Sequence, residues 1–493
     1  MKCLISEFLA KEFRNLVAFR YVDQDVSISY EDSISRAEQI HYALKKMGVS
    51  KGDYVLLSAK YEHDWFASLV ALASVGAIAV PVTNSITRYE LSRIGRRIPI
   101  KYSLSDTEFI FRVHQSLVQT SELDGVLSLD VIEDEIPVPL LPHFKMLTEW
   151  GGKRDKLKVP KPHQKMTCHF TYKGFGIPLG VIHTYDDFCQ SVASCQPIFN
   201  FKKGHRLLTL LPCYPVFGLV TNLLYPLAYG CELIIQDKKV SNILKAIENY
   251  KIDHVNLVPA LAEKMNFEAL KARREFDLSH ICFVSGGSHL SEELYERFEH
   301  TFNVAPLQGY GLTETLPVLT NFPDDNVKGT LGKMMRPGVS VKILDRHGKD
   351  VPVGKAGEIC IKGQGVITSY IGGENFREQL FRGEWLRTGD IGTVDEQGNI
   401  RFLGRRLPFT KILANMVDFR EIENLVSEVT GVKSSKGYIV VDRGRKKIFL
   451  SLFVTRDFQS SKEDILDLCK ERLSPYKVPS VVKIYQSSYR ESM

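Results

Sequence analysis

Three short stretches of this chain carry residue types that together could handle a phosphorylated ligand. The first, TYKGFGIPLGV at 171–181, holds Gly174, Gly176 and Gly180 with Lys173 among them. Glycines accept positive φ and let backbone N–H groups converge on an anion, although the same glycines serve any tight turn between two elements. The spacing matches neither GxxxxGK[ST] nor GxGxxG. The second, QGYGLTET at 308–315, delivers Thr313 and Glu314 side by side after a glycine turn. A hydroxyl that bonds a phosphate oxygen beside a carboxylate that holds Mg²⁺ suits nucleotide chemistry, while a Thr-Glu pair is also a common helix start. The third is GEWLRTGDIG at 383–392, followed after a hairpin by FLGRR at 402–406. Asp390 could accept two ribose hydroxyls and Arg405 could donate to the same sugar; each alone would pass as an ordinary surface residue.

The surrounding sequence supplies elements to hold these stretches. SYEDSISRAEQIHYALKKMG has apolar residues at helical spacing and ends at Gly48, and GDYVLLSA is a short apolar strand. The apolar run WFASLVALASVGAIAVPV, 65–82, is broken by Gly76 and Pro81 into a buried helix and a strand, so no membrane span is expected. Helix and strand patterns alternate through the first four hundred residues, which implies layered α/β architecture with buried strands. The polar, basic segment 149–165 reads as a surface connector before the strand MTCHFTY. After residue 320 the texture turns to short strands with hairpin signals, as in GTVDEQGNIRFLG. From about 405, the strands KGYIVVD and KKIFLSLFV alternate with the helices FREIENLVSEV and KEDILDLCKERL. The expected division is a large domain at 1–404, β-rich from about 321 to 404, and a small α+β domain at 405–493.

Composition narrows the function classes. A chain of 493 residues is too long for one core, and 44% hydrophobic with 25% charged residues is ordinary for a globular enzyme. A formal charge of +6, dispersed over the chain, gives no nucleic-acid footprint. Nine cysteines without a CxxC pair favour reduced thiols in a cytoplasmic protein over disulfides or a zinc site. The N-terminus, MKCLISEFLAKEFRN, has no signal-peptide pattern.

Taken in order, KKMGVSKGDYVLLSA, VGAIAVPV, LPCYPVFGL, GGSHLSEEL, QGYGLTET, GKAGEICIKGQGV, WLRTGD, FLGRR, REIENLV and SPYKVPSVVKIY resemble the adenylate-forming superfamily of acyl-CoA synthetases, carrier-protein ligases and luciferases. The resemblance covers nearly the whole chain and implies that superfamily's fold, with TYKGFGIPLGV at the position of its phosphate-contacting loop. It also implies a two-step reaction. A carboxylate attacks the α-phosphorus of ATP, with Mg²⁺ as cofactor, to give an acyl adenylate and pyrophosphate; a thiol of CoA or of a carrier protein's phosphopantetheine then displaces AMP. By carry-over, Thr313 binds the α-phosphate, Glu314 holds Mg²⁺, and Asp390 and Arg405 hold the ribose. Gly286, Gly287 and Ser288 with Gln308, Gly309 and Tyr310 line the adenine site, and Gly174 and Gly176 belong to the phosphate loop. Tyr214, Phe217, Gly218 and Gly287 fall where the acid pocket lies. An aliphatic or aryl acid is expected, because no acidic residue is placed there for an α-ammonium group.

Several positions depart from the superfamily pattern. Tyr172, Lys173, Gly174 and Phe175 replace hydroxyl residues, Leu179 stands at the usual lysine, and Tyr214-Pro215 stands at an aromatic-histidine pair. Pro408 replaces the usual hinge aspartate, and Ala414 and Asn415 stand where glycines are usual. The chain ends at SSYRESM, short of a Gly-Lys pair whose lysine bridges the carboxylate and the α-phosphate. Lys173, reaching a β- or γ-phosphate, is the expected substitute cation, with Lys411 as its partner when the small domain closes. Three functional readings follow: an ATP-dependent acid:thiol ligase, for instance of fatty acid metabolism; a non-catalytic homologue that binds a nucleotide, an acyl adenylate or a carrier protein; and an enzyme of one half-reaction.

Overall fold

The computed structural model describes residues 4–120, 123–130, 144–236, 240–273, 275–406, 409–412, 415–442 and 445–486. Cys3, Pro408, Ala414 and the SSYRESM end, all weighed above, lie outside these residues. Two large sheets dominate. A seven-stranded sheet runs in the order Phe144–Met146, Gly125–Ser128, Ile100–Ser105, Tyr54–Ser58, Ile78–Pro81, Lys165–Thr171 and Leu179–Thr184. All its pairings are parallel except the last, which is a hairpin around the loop 172–178. A nine-stranded sheet carries Cys282–Ser285, Leu307–Leu312 and Leu316–Thr320 as neighbours.

The run 65–82 folds as its composition requires. Every residue from Asp64 to Ser74 of the helix Glu62–Val75 is buried, and Gly76 at φ 95° closes the helix before the strand Ile78–Pro81. A helix apolar all round must be covered all round, and one continuous core joins it to strands of both sheets. Among the described residues no helix is long and apolar enough to cross a membrane. The preceding helix, Tyr30–Lys46, starts at a Ser29–Asp32 capping box and stops just before Gly48.

The strands Val339–Leu344, Gly357–Gly363, Trp385–Val394, Phe381–Arg382 and Ile400–Arg405 form a separate five-stranded sheet. Beyond it come a two-stranded ladder, Phe409–Ile412 with Asn415–Asp418, and a three-stranded sheet of Val432–Asp442, Arg445–Val454 and Val481–Gln486 packed on the helices Phe419–Ser427 and Lys462–Arg472.

This last unit is fastened to the rest by buried charge. Lys477 Nζ lies 2.6 Å from Glu90 and 2.8 Å from Glu421, with all three side chains at most 4% exposed. It also stands 4.6 Å over the ring of Tyr172, in the opening loop. Ser474 Oγ donates to Glu90 at 2.6 Å, and Arg93 pairs with Glu421 while donating to the Gly176 carbonyl. Burial alone would raise the Glu90 carboxyl, but Lys477 and its hydrogen bonds hold it below the usual carboxylate range. Burial likewise opposes the Lys477 charge, yet Glu421 and Glu90 drive it well above the ordinary lysine range.

Removing one partner of such a cluster strands the others. Lys477→Met should cost about 3–5 kcal/mol in denaturant unfolding, and adding Glu90→Gln and Glu421→Gln should recover most of it; equal midpoints for wild type and Lys477→Met would remove the constraint. The depressed Glu90 carboxyl contributes stability above its unfolded pKa of about 4.3 that disappears as pH falls through its lower folded value.

Candidate active site

The site is built from strand register. Asp390 and Arg405 face each other as paired residues of neighbouring antiparallel strands. Arg405 donates to both carboxylate oxygens, Nε to Oδ1 at 2.5 Å and Nη2 to Oδ2 at 3.1 Å. Tyr310, on the strand Leu307–Leu312, brings its hydroxyl within 2.8 Å of Asp390 Oδ2. Burial and the Asp390 charge push the Tyr310 phenol well above its ordinary range, so it remains a donor. The Asp390 side chain has no exposed surface, which makes this aspartate an interior acceptor rather than a turn residue on the surface.

Thr313, Glu314 and Thr315 form the turn of the hairpin between Leu307–Leu312 and Leu316–Thr320, not the first turn of a helix. The chain must reverse tightly: Leu316 adopts φ 57°, and a Cβ at Gly311 would lie 2.4 Å from the Leu316 carbonyl oxygen. From beneath, His183 places Nε2 2.6 Å from the Thr313 carbonyl oxygen. Burial lowers its pKa, so the neutral imidazole is the donor. Arg336, also buried, donates to the Thr315 carbonyl at 2.8 Å.

The cavity beside this turn, about 170 Å³, is lined by Tyr214, Phe217, Gly218, Gly287, Gly309, Tyr310, Thr313 and Lys411. A smaller one of about 40 Å³ adjoins it through Gly287, Gly309, Tyr310 and Lys411 and adds Ser288, Gln308, Asp390 and Arg405. Residues from five separate sequence regions therefore share one recess. Gly286 supports it from behind, since a Cβ there would lie 2.5 Å from the Phe217 ring. Lys411 keeps some surface open to the cavity but is otherwise crowded by protein. Burial, with Arg405 nearby, lowers its pKa to about 8.

Lys173, Gly174, Gly176 and Glu314 do not line either cavity. Lys173 takes φ 52° and sends its ammonium inward, 3.4 Å from Glu314 Oε1 and 3.3 Å from the Thr388 carbonyl oxygen, with both charged side chains 1% exposed. Glu314 Oε1 also accepts from the Tyr370 hydroxyl at 3.0 Å. The expected Mg²⁺ ligand thus has an ammonium and a phenol as partners, and its surroundings do not fit a metal ion while Lys173 stands there. Leu179 is a fully buried strand residue. The Gly176 and Arg420 N–H groups donate to the carboxylate of Asp418, at 3.2 and 2.9 Å. Burial raises the Asp418 carboxyl to about 6 against these hydrogen bonds.

Sequence reasoning passed over His183, Tyr370, Asp418 and Lys477. Asp418 was visible as a helix N-cap before FREIENLV; its second role needs the fold.

Residues 7–371 match the AMP-binding enzyme family. The chain is 26% identical over 465 residues to a putative acyl-CoA ligase of Bacillus subtilis, covering 93% of this chain and 90% of that protein. It is 26% identical over 518 residues to a long-chain-fatty-acid–CoA ligase of Yersinia pestis, covering 96% and 90%. The structure of the amide bond synthetase McbA from Marinactinospora thermotolerans superposes with a TM-score of 0.84 at 20% identity, covering 98% of this chain and 95% of that one.

Two outcomes are expected if AMP occupies this recess. Asp390→Ala should lose about 1.5–3 kcal/mol of AMP affinity in calorimetry, the scale of hydrogen bonds to a charged acceptor; unchanged affinity would remove the ribose assignment. AMP affinity should also fall as pH rises through about 8, where Lys411 loses its proton, and Lys411→Arg should flatten that profile.

Proposed function

The chain belongs to the AMP-binding enzyme family, and from that premise we propose that it is an ATP-dependent acid:thiol ligase that activates an aliphatic or aryl carboxylic acid as its acyl adenylate and transfers the acyl group to CoA. The observation that carries this reading is the joined recess: the Asp390–Arg405–Tyr310 cluster opens at Gly287, Gly309 and Tyr310 into a cavity bounded by Tyr214, Phe217 and Gly218. Such a recess holds a sugar at one end and an apolar acyl group at the other. Among the described residues no aspartate or glutamate lines the larger of these two cavities, so an α-ammonium group would enter it without a counter-ion.

In the first step an oxygen of the acid attacks the α-phosphorus, a P–O bond to the acid forms, and the bond to the β-phosphate breaks with release of pyrophosphate. In the second, the thiol sulfur attacks the acyl carbon and AMP leaves. The chemistry depends on alignment and charge neutralisation rather than on a protein nucleophile. Thr313, held by the His183 hydrogen bond to its carbonyl, is assigned to the α-phosphate, Asp390 and Arg405 to the ribose, and Lys411 to the anionic centre shared by acid and phosphate. A carrier protein's phosphopantetheine is the other thiol of suitable chemistry.

A second reading, a nucleotide- or acyl-adenylate-binding homologue that does not complete the cycle, is favoured by the Lys173–Glu314 pair. ATP–pyrophosphate exchange over a panel of fatty and aryl acids, with hydroxylamine trapping of the acyl adenylate, separates the two. Acid-dependent exchange supports the ligase. AMP binding without exchange for any acid establishes the second reading, and exchange strongest with amino acids overturns the substrate class.

A further inference from the structure

The superfamily resemblance puts the β- and γ-phosphates of ATP at the loop 172–178 and their metal at Glu314. Both places are filled by charges of the chain itself. Asp418, which has no exposed surface, gives one carboxylate oxygen to the Gly176 N–H at 3.2 Å and caps its own helix by accepting from Arg420 N–H at 2.9 Å with the other. The helix Phe419–Ser427 is seated against the loop with no space between: a Cβ at Gly176 would lie 2.5 Å from Asn424 Nδ2 and 3.0 Å from the Arg420 carbonyl. On the other side of the loop the Lys173 ammonium faces Glu314, where a divalent cation would meet a like charge.

The ribose and α-phosphate end is not closed in this way. Thr313, Tyr310 and Lys411 line the cavity, and among the described residues no carboxylate of the small unit enters it. We propose that the docked arrangement selects nucleoside monophosphate esters, such as AMP or an acyl adenylate, against nucleoside triphosphates, with Asp418 as the internal anion that holds the glycine loop at the Gly176 N–H. This rests on the nucleotide site of the proposed function.

Two anions cannot share that donor, so a triphosphate seated on the loop must expel Asp418. Expelling it means lifting the helix that carries Glu421, which Lys477 and Arg93 fasten to the large unit. A monophosphate ester needs no such movement. Asp418 is therefore a specificity-determining residue rather than a catalytic one, and its N-cap role can be separated from it, because serine also caps a helix but carries no charge.

Calorimetry on the full chain tests this with AMP and ATP on wild type and Asp418→Ser. Wild type should bind AMP more tightly than ATP. Asp418→Ser should raise ATP affinity about tenfold or more while AMP affinity stays within about threefold; Asp418→Asn, isosteric and uncharged, gives the same readout if serine perturbs the helix. ATP bound as tightly as AMP by wild type, or AMP and ATP affinities that shift together or not at all in the variant, overturns the selection while leaving the nucleotide site intact. Wild type binding neither nucleotide overturns the nucleotide site and this inference with it. Mg²⁺ should strengthen ATP binding to Lys173→Ala but not to wild type, and a strengthening of about tenfold in wild type would overturn the filled-metal-site part.

Discussion

A charge taken out of water must meet a partner or it will not stay ionised, and this requirement organises the contact between the small C-terminal unit and the rest of the chain. The contact buries Lys477 with Glu90 and Glu421, and it buries Asp418 against the glycine loop. A few ångströms away Lys173 faces Glu314, and Arg405 faces Asp390. Each of these charges has its partner on a different element. The small unit can therefore seat in few ways, because another orientation would part Lys477 from Glu90 and Arg93 from Glu421 at once.

The same pairing explains why one cavity reads as two ends. Strand register sets the polar end: Asp390 and Arg405 are opposite one another in an antiparallel ladder, and Tyr310 reaches them from a neighbouring sheet. The other end is made by residues chosen for close approach, with Gly286 against Phe217 and a Cβ at Gly218 lying 2.0 Å from the Pro212 carbonyl oxygen. The hairpin turn 313–315 stands between them, held at its carbonyls by His183 and Arg336, so that Thr313 lines the cavity while the Glu314 side chain turns inward to Lys173 and Tyr370. Position is set by the backbone and by hydrogen bonds from below, chemistry by what remains on top.

The α/β layering was legible because it depends on periodicity: a run as apolar as 65–82, broken at a glycine, can only be a covered helix and a covered strand. QGYGLTET and WLRTGD were legible as chemistry because their residue types are unusual in that order. The partners of those residues were not. Lys173 reads as a loop cation from sequence, and only the fold reveals that its left-handed backbone turns the side chain toward Glu314. Asp418 went unread in the sequence although it is the N-cap of its helix, and its hydrogen bond to Gly176 spans more than 240 residues of chain. Local pattern carries no information about pairings at that separation, and the buried Lys477 triad is hidden for the same reason.

The backbone at Lys173 gives a last reason to regard the loop as a built device rather than a passive turn. A non-glycine residue at φ 52° is disfavoured by about 1–2 kcal/mol, and such strain persists only where surroundings over-determine it. Here they do: Thr171 and Leu179 are paired across the hairpin, Tyr172 lies under Lys477 and accepts from the Phe175 N–H at its carbonyl, and the Gly176 N–H is held by Asp418. The side chain that results is aimed at a carboxylate that also accepts from Tyr370. Releasing Asp418 would free the Gly176 N–H on one side of Lys173 while Glu314 still held its ammonium on the other. The glycine loop can thus exchange its anion without losing its cation, and that asymmetry follows from which side of the loop each partner approaches.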